Sequence, residues 1–128
     1  MKQENAKRAD GLQQELFADG KLSAEGFYKN GKRHGKWTFY YRNGVVKATG
    51  EYQDNTLYGY WEWWRDNGQL FQAGSFENGK QVGHWKRHFD NGQLWDEGTY
   101  VDGKKVGEWK AYDKSGKPKQ SKVFKPRK

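Results

Sequence analysis

The sequence predicts an all-β fold, an elongated twisted antiparallel β-hairpin array of about four full 24-residue repeats after a degenerate one. Three observations carry that reading. Gly35-Lys36-Trp37 returns as Gly59-Tyr60-Trp61, Gly83-His84-Trp85 and Gly107-Glu108-Trp109, with no insertion between copies. Turn pairs recur in the same register, Asn43-Gly44, Asn67-Gly68 and Asn91-Gly92, with Ser115-Gly116 at the matching place. Between the turns lie runs of roughly eight to ten residues rich in aromatic and β-branched types, such as Trp37-Thr38-Phe39-Tyr40-Tyr41. Strands joined repeatedly by tight turns make an antiparallel meander.

The array is expected over 11–116, between a polar segment at 1–10 and a basic tail at 117–128. Its first unit keeps Gly11, Gly20, Leu22 and Gly26 in phase. Gln13 replaces the tryptophan and Leu16 the aromatic, as suits a capping repeat. Each full unit opens on a turn at Asn30-Gly31, Asp54-Asn55, Asn78-Gly79 or Asp102-Gly103. Its second turn, the Asn-Gly pair at 43–44, 67–68 or 91–92, is read as a type I′ turn with positive φ at both central residues. Columns then emerge. Tyr28, Tyr52, Phe76 and Tyr100 share one, and Tyr40, Trp64, His88 and Tyr112 share another, on the face opposite the tryptophans. Gly26, Gly50, Gly74 and Gly98 form a third, read as backbone covered by neighbouring rings. The pattern decays after Gly116, where Pro118 takes the place of Leu70 and Leu94. Two strands per unit at ~4.8 Å give a ladder of roughly 45 Å.

Mean hydropathy of −1.32 would suit a disordered chain. Registered columns have no use in one, and seven Trp, eight Tyr and seven Phe supply the burial that aliphatic residues do not. With no cysteine, disulfides, thiolate metal sites and thiol nucleophiles are excluded. No apolar run reaches the ~18 residues of a membrane-spanning helix. The start is polar, which sets the expectation of a cytoplasmic protein. Of the net +8, most falls from Asp113 onward, where seven Lys or Arg face that single acid.

The segment NGKRHGKWTFYYRNGVVKATGEY orders Asn-Gly-Lys, Gly-x-Trp, Asn-Gly and Gly-x-Tyr as a MORN repeat does. The resemblance runs from about Gly11 to Gly116 and is closer still to the bacterial MORN variant of YwqK-type antitoxins. It implies a curved hairpin sheet, no enzyme activity and a binding or scaffolding role. Toxin neutralisation is implied for the bacterial branch, and acidic-phospholipid binding for some members. Asp54-Asn55-Thr56 in place of Asn-Gly-Lys, and His88 in an aromatic column, depart from the pattern.

Candidate catalysts reduce to structural positions. His84 and His88 stand four apart on a strand, roughly 13 Å between α-carbons, and His34 shares a column with Tyr58, Val82 and Val106. Asp96 and Glu97 point to opposite faces. No Gly-rich loop continues into Gly-Lys-Ser/Thr. The sequence therefore predicts no enzyme, cofactor or metal.

It predicts a protein-binding module instead, with the partner, a toxin or assembly component, read by Tyr58, Tyr60, Trp61, Trp63, Trp64, Phe71, His88 and Trp95. Alternation sets Trp61 and Trp63 on one face and Tyr60 and Trp64 on the other, so one set meets the partner. An alternative is docking on anionic lipid through Lys29–Lys36 and the basic tail: Lys114, Lys117, Lys119, Lys122, Lys125, Arg127 and Lys128. Another is glycan binding at a cell surface. Nucleic acid is not expected, since the body of the array is nearly neutral. Self-association through the open sheet edges is a further expectation.

Overall fold

The computed structural model describes residues 10–125, and every strand within them belongs to one open antiparallel sheet. Its strands are β1 (Gly11–Leu16), β2 (Leu22–Lys29), β3 (Lys32–Tyr40), β4 (Val46–Gln53) and β5 (Thr56–Trp64). They continue as β6 (Leu70–Glu77), β7 (Lys80–His88), β8 (Leu94–Val101), β9 (Lys104–Ala111) and β10 (Lys122–Phe124). Each strand pairs with its sequence neighbours and no other, so contacts stay local.

The type I′ geometry expected at Asn43-Gly44, Asn67-Gly68 and Asn91-Gly92 is found instead at the other turn of each unit. Asn30-Gly31, Asp54-Asn55, Asn78-Gly79 and Asp102-Gly103 have positive φ at both residues and close the type I′ hairpins. In the other class only the glycine is left-handed, as at Gly44 (φ 88) and Gly68 (φ 90). That turn is wider: the Gly44 N–H donates to the Tyr41 carbonyl, and the Tyr41 N–H to that of Val45. Asn43 then serves as a local acceptor, its Oδ1 taking the Val45 N–H at 3.0 Å.

The core is a lock repeated four times. Trp37, Trp61, Trp85 and Trp109 are all buried, each lying across a glycine of the preceding strand: Gly26, Gly50, Gly74 and Gly98. A β-carbon at any of these glycines would overlap the indole. The pairing register shifts beside each lock, at Gly26/Phe27 and its equivalents, because a bulge carrying Gly35, Gly59, Gly83 or Gly107 at φ 70 to 74° interrupts the ladder. The indole N–H satisfies a carbonyl at that bulge, on Phe27 (2.9 Å), Glu51 (3.0 Å), Ser75 (3.2 Å) and Thr99 (3.1 Å). One side chain thus fills the core, covers bare backbone and satisfies a ladder group.

Around the locks the rings interleave on one sheet face. Phe39 stands 5.9 Å from Trp37 and 6.3 Å from Trp61, and Trp63 stands 5.7 Å from both Trp61 and Trp85. Tyr28, Tyr52, Phe76 and Tyr100 meet Trp37, Trp61, Trp85 and Trp109 edge to face at 5.1 to 5.3 Å. Such pairs contribute about 0.5–1.5 kcal/mol each beyond the area they bury. The interleaving stops after Trp85. The column of Phe39 and Trp63 continues as Arg87 and then Ala111, and Arg87 is held by Asp96 at 3.0 and 2.7 Å.

The basic tail expected at 117–128 is not a loose appendage over its described part. Pro118 bridges to Tyr112, and Lys122–Phe124 pair with β9 as the last strand. Phe124 falls 24 residues after Tyr100 and extends that column. Arg127, Lys128 and residues 1–9 of the polar segment lie outside the described residues.

Candidate binding faces

The two faces differ in what they leave exposed. On the locked face the large rings are consumed by one another: Trp61 is 2% exposed and Trp63 is half-buried between Trp61 and Trp85. Of the residues expected to read a partner, these two belong to the core instead. Trp61 lies over Gly50, so a partner that touched it would have to dismantle the lock.

The second face keeps its aromatics outward. Tyr58 and Tyr60 on β5 are 40% and 58% exposed, and the Tyr60 hydroxyl reaches the Glu62 carboxylate at 3.4 Å. Two strands at the N-terminal end add Leu12 and Phe27, paired across β1 and β2 and both exposed. These two were not singled out from the sequence. Phe27 could have been, since its column otherwise holds Glu51, Ser75 and Thr99 and the repeat needs no ring there. From β2 to β5 the patch spans about 14 Å. Beside it, Trp64 lines a shallow hollow of about 430 Å³ with Lys36, Thr38, Val46 and Thr49.

Burial first, and neighbouring carboxylates second, raise two phenol pKa values on this face. Tyr40 donates to Glu25 at 2.9 Å, and burial, that bond and the carboxylate charge raise its pKa. Burial, followed by the Glu62 charge, raises Tyr60 in the same way. On the locked face, burial raises Tyr28 and Tyr52, with Glu15 adding to the effect and Arg33 opposing it. The Arg33 guanidinium sits 4.7 Å from the Trp37 ring centroid, with Glu15 3.4 Å away.

The remaining expected residues lie along the wide-turn edge and do not join the patch. Phe71 carries Arg65 over its ring at 4.5 Å. Trp95 stacks on Phe89 at 5.0 Å under Arg87 at 3.9 Å, and the His88 carbonyl accepts from Arg65 at 2.9 Å. The basic residues divide. Lys114 pairs with Asp90 at 3.5 Å, whereas Lys117 and Lys119 use backbone N–H groups to close the last turn and bridge. Lys122 is part of β10, and Lys125 follows it. His84 contacts Glu97 at 2.9 Å on the exposed second face. Among the described residues no group of three or more His, Asp or Glu could hold a metal ion.

The sheet is thus a ladder of hairpins with one face packed ring on ring and the other left more open. The model of the MORN repeat variant matches it five times, at residues 9–30, 33–54, 57–78, 81–102 and 105–125. The chain belongs to the MORN repeat variant family. The fifth match includes β10, so family and geometry agree that the array runs to Lys125. Repeats of this family are generally protein- or membrane-binding modules and generally not enzymes. No curated protein matches the chain.

Proposed function

We propose that this MORN array is a non-catalytic protein-binding module whose partner docks on the second face, over Leu12, Phe27, Tyr58 and Tyr60. The observation that carries the reading is the contrast between faces. On the locked face the column tryptophans are buried and the rings packed on them half-buried, while Phe27, Tyr58 and Tyr60 project where the repeat requires none. Exposed tyrosines beside charged groups are the usual anchors of protein interfaces. Within this class, neutralisation of a toxin is the specific role, as in the bacterial branch the chain resembles, and assembly scaffolding is the broader one.

The test is affinity capture from the source organism's lysate, run with the native chain and with a Tyr58→Ser/Tyr60→Ser variant of equal melting temperature. One protein captured stoichiometrically by the native chain, and at least ~10-fold less by the variant, is the expected result. Equal capture by both chains would remove the patch from the interface. Retention of lipid alone would replace the reading with a membrane module.

A further inference from the structure

The spine of rings ends in a gap. After Trp109 the interleaving position is Ala111, and the space a ring would fill is a cleft of about 290 Å³. Trp109 and Phe124 form its aromatic walls. Lys105, Lys119 and Lys122 line it, with Lys105 Nζ 4.6 Å from the Trp109 ring centroid and 5.6 Å from that of Phe124.

The cleft carries a net positive charge. Its one carboxylate, Asp96, is taken by the Arg87 guanidinium through two hydrogen bonds at 3.0 and 2.7 Å. Nearby acids are engaged too: Glu97 with His84, Asp102 with Lys80, and Asp90 with Lys114, while the Asp113 carboxylate accepts from Ser115 and the Lys117 N–H and also feels the Lys119 charge. Among the described residues Lys105, Lys119 and Lys122 form no ion pair.

Beside the cleft runs β10, the last strand, whose outer edge has no partner strand among the described residues. Lys122 and Phe124 project toward the cleft, and Val123, 69% exposed, projects to the other face. A second copy is a poor occupant of that edge. Continuing the array would set Gln13 in the tryptophan column against Lys122 in the glycine column, so no lock forms across the junction. A lipid surface or a free anion would use the lysines and leave the strand edge idle. An extended peptide uses both.

We infer that the cleft and the free edge of β10 bind an extended acidic segment of a protein partner. Its backbone adds a strand beside β10, its carboxylates meet Lys105, Lys119 and Lys122, and an apolar side chain enters the gap over Ala111. The site lies on the opposite face and at the opposite end from the tyrosine patch, and stands or falls separately.

A fluorescein-labelled peptide with glutamates and one phenylalanine at every second position and threonines between, so that acids and ring share one strand face, tests it when titrated against the full chain by fluorescence anisotropy. Saturable binding that weakens with salt is expected, with at least ~10-fold loss in Lys119→Glu/Lys122→Glu. Ala111→Phe fills the gap and should lose binding while keeping or raising the melting temperature. Tyr58→Ser/Tyr60→Ser should bind the peptide as the native chain does. No binding at ~1 mM peptide, or binding indifferent to the lysine reversals, would overturn the inference. So would tighter binding of inorganic phosphate or phosphatidylserine vesicles than of the peptide, lost on the same reversals. A dimer broken by those reversals would overturn it in favour of a second copy.

Discussion

From Trp37 to Trp85 the locked face is ring upon ring; from Trp85 to the end it is a ring, an ion pair and a gap. The backbone and the locks are the same in both halves. What differs most is the interleaving column, Phe39 and Trp63 in one, Arg87 and Ala111 in the other, with Asp96 opposite Arg87 where Ala48 stands opposite Phe39. A repeat array can therefore be closely packed at one end and open at the other without altering its frame. Breaking the same lock in each half measures the difference most directly. Gly50→Val forces the Trp61 indole off its backbone, with Phe39 and Trp63 on either side leaving it no room. The expected cost is about 4 kcal/mol or more. At Gly98→Val, Trp109 has the open cleft beside it and end repeats around it, so the loss should be visibly smaller. Urea unfolding followed by tryptophan fluorescence reads both, and equal losses would mean the gap is not mechanically felt.

The ion pair offers the next test. Arg87 alone to Ala leaves Asp96, buried to 9% exposure, without its partner, at a cost of about 1–3 kcal/mol. Replacing both as Arg87→Phe/Asp96→Ala copies Phe39 and Ala48 from the first full repeat. That double variant should be neutral or more stable than the native chain by up to ~4 kcal/mol, since a well-packed apolar substitute avoids the desolvation of two charges. A double variant weaker than Arg87→Ala would show that the ring does not fit the C-terminal half.

Most of this contrast was legible in the chain, though not all of it was read. The period, the Trp and Gly columns and the opposite-face placement of Trp64 against Trp61 follow from spacing alone, because one lock geometry repeats without insertion. Type I′ geometry was expected at the wrong turn because Asn-Gly serves both a type I′ turn and an Asn followed by a left-handed Gly. The distinguishing signal was Ser115, a poor left-handed residue, at the first position of the wide class, whereas the tight class holds only Asn, Asp and Gly. β10 was masked by Pro118 and by Lys122 in the glycine column, although Phe124 kept its place in the ring column. Burial of Trp61 and Trp63 could not be read from a cluster of aromatics, since composition does not say which rings the repeat itself consumes.

Alkaline pH should act unevenly along the array. Tyr28, Tyr40, Tyr52 and Tyr60 all have raised pKa values, with burial the leading cause at each, and all four lie before Trp63. An unfolded tyrosine ionises near pH ~10. A group raised in the folded state leaves stability intact below that value and lowers it as pH rises through the folded one. Melting temperature should hold to about pH 10 and then fall, less steeply in Tyr40→Phe/Tyr52→Phe. Phenolate absorbance over the same range gives an independent check, and a native-like slope in the double variant would assign the loss elsewhere.

The smallest effect concerns the one tight turn without glycine among the described residues. Asn55 holds φ 66° where its equivalents are Gly31, Gly79 and Gly103. That conformation costs an L-residue roughly 1 kcal/mol, less for asparagine. In return its Oδ1 accepts the Arg33 N–H at 2.8 Å, while its own N–H donates to the Arg33 carbonyl at 2.9 Å, tying the turn to the previous hairpin. A hydrogen bond of this kind contributes about 0.5–1.5 kcal/mol net. The two terms nearly cancel, so Asn55→Gly should shift stability by no more than about 0.5 kcal/mol. Asn55→Ala keeps the strain and loses the side-chain bond, and should cost about 1–2 kcal/mol. Arg33 is the residue whose guanidinium covers the Trp37 ring, so the loss should be sharpest in the hydrogen-exchange protection of β3. If glycine and alanine prove equally costly, the turn's value lies in the Asn55–Arg33 tie and not in its backbone conformation.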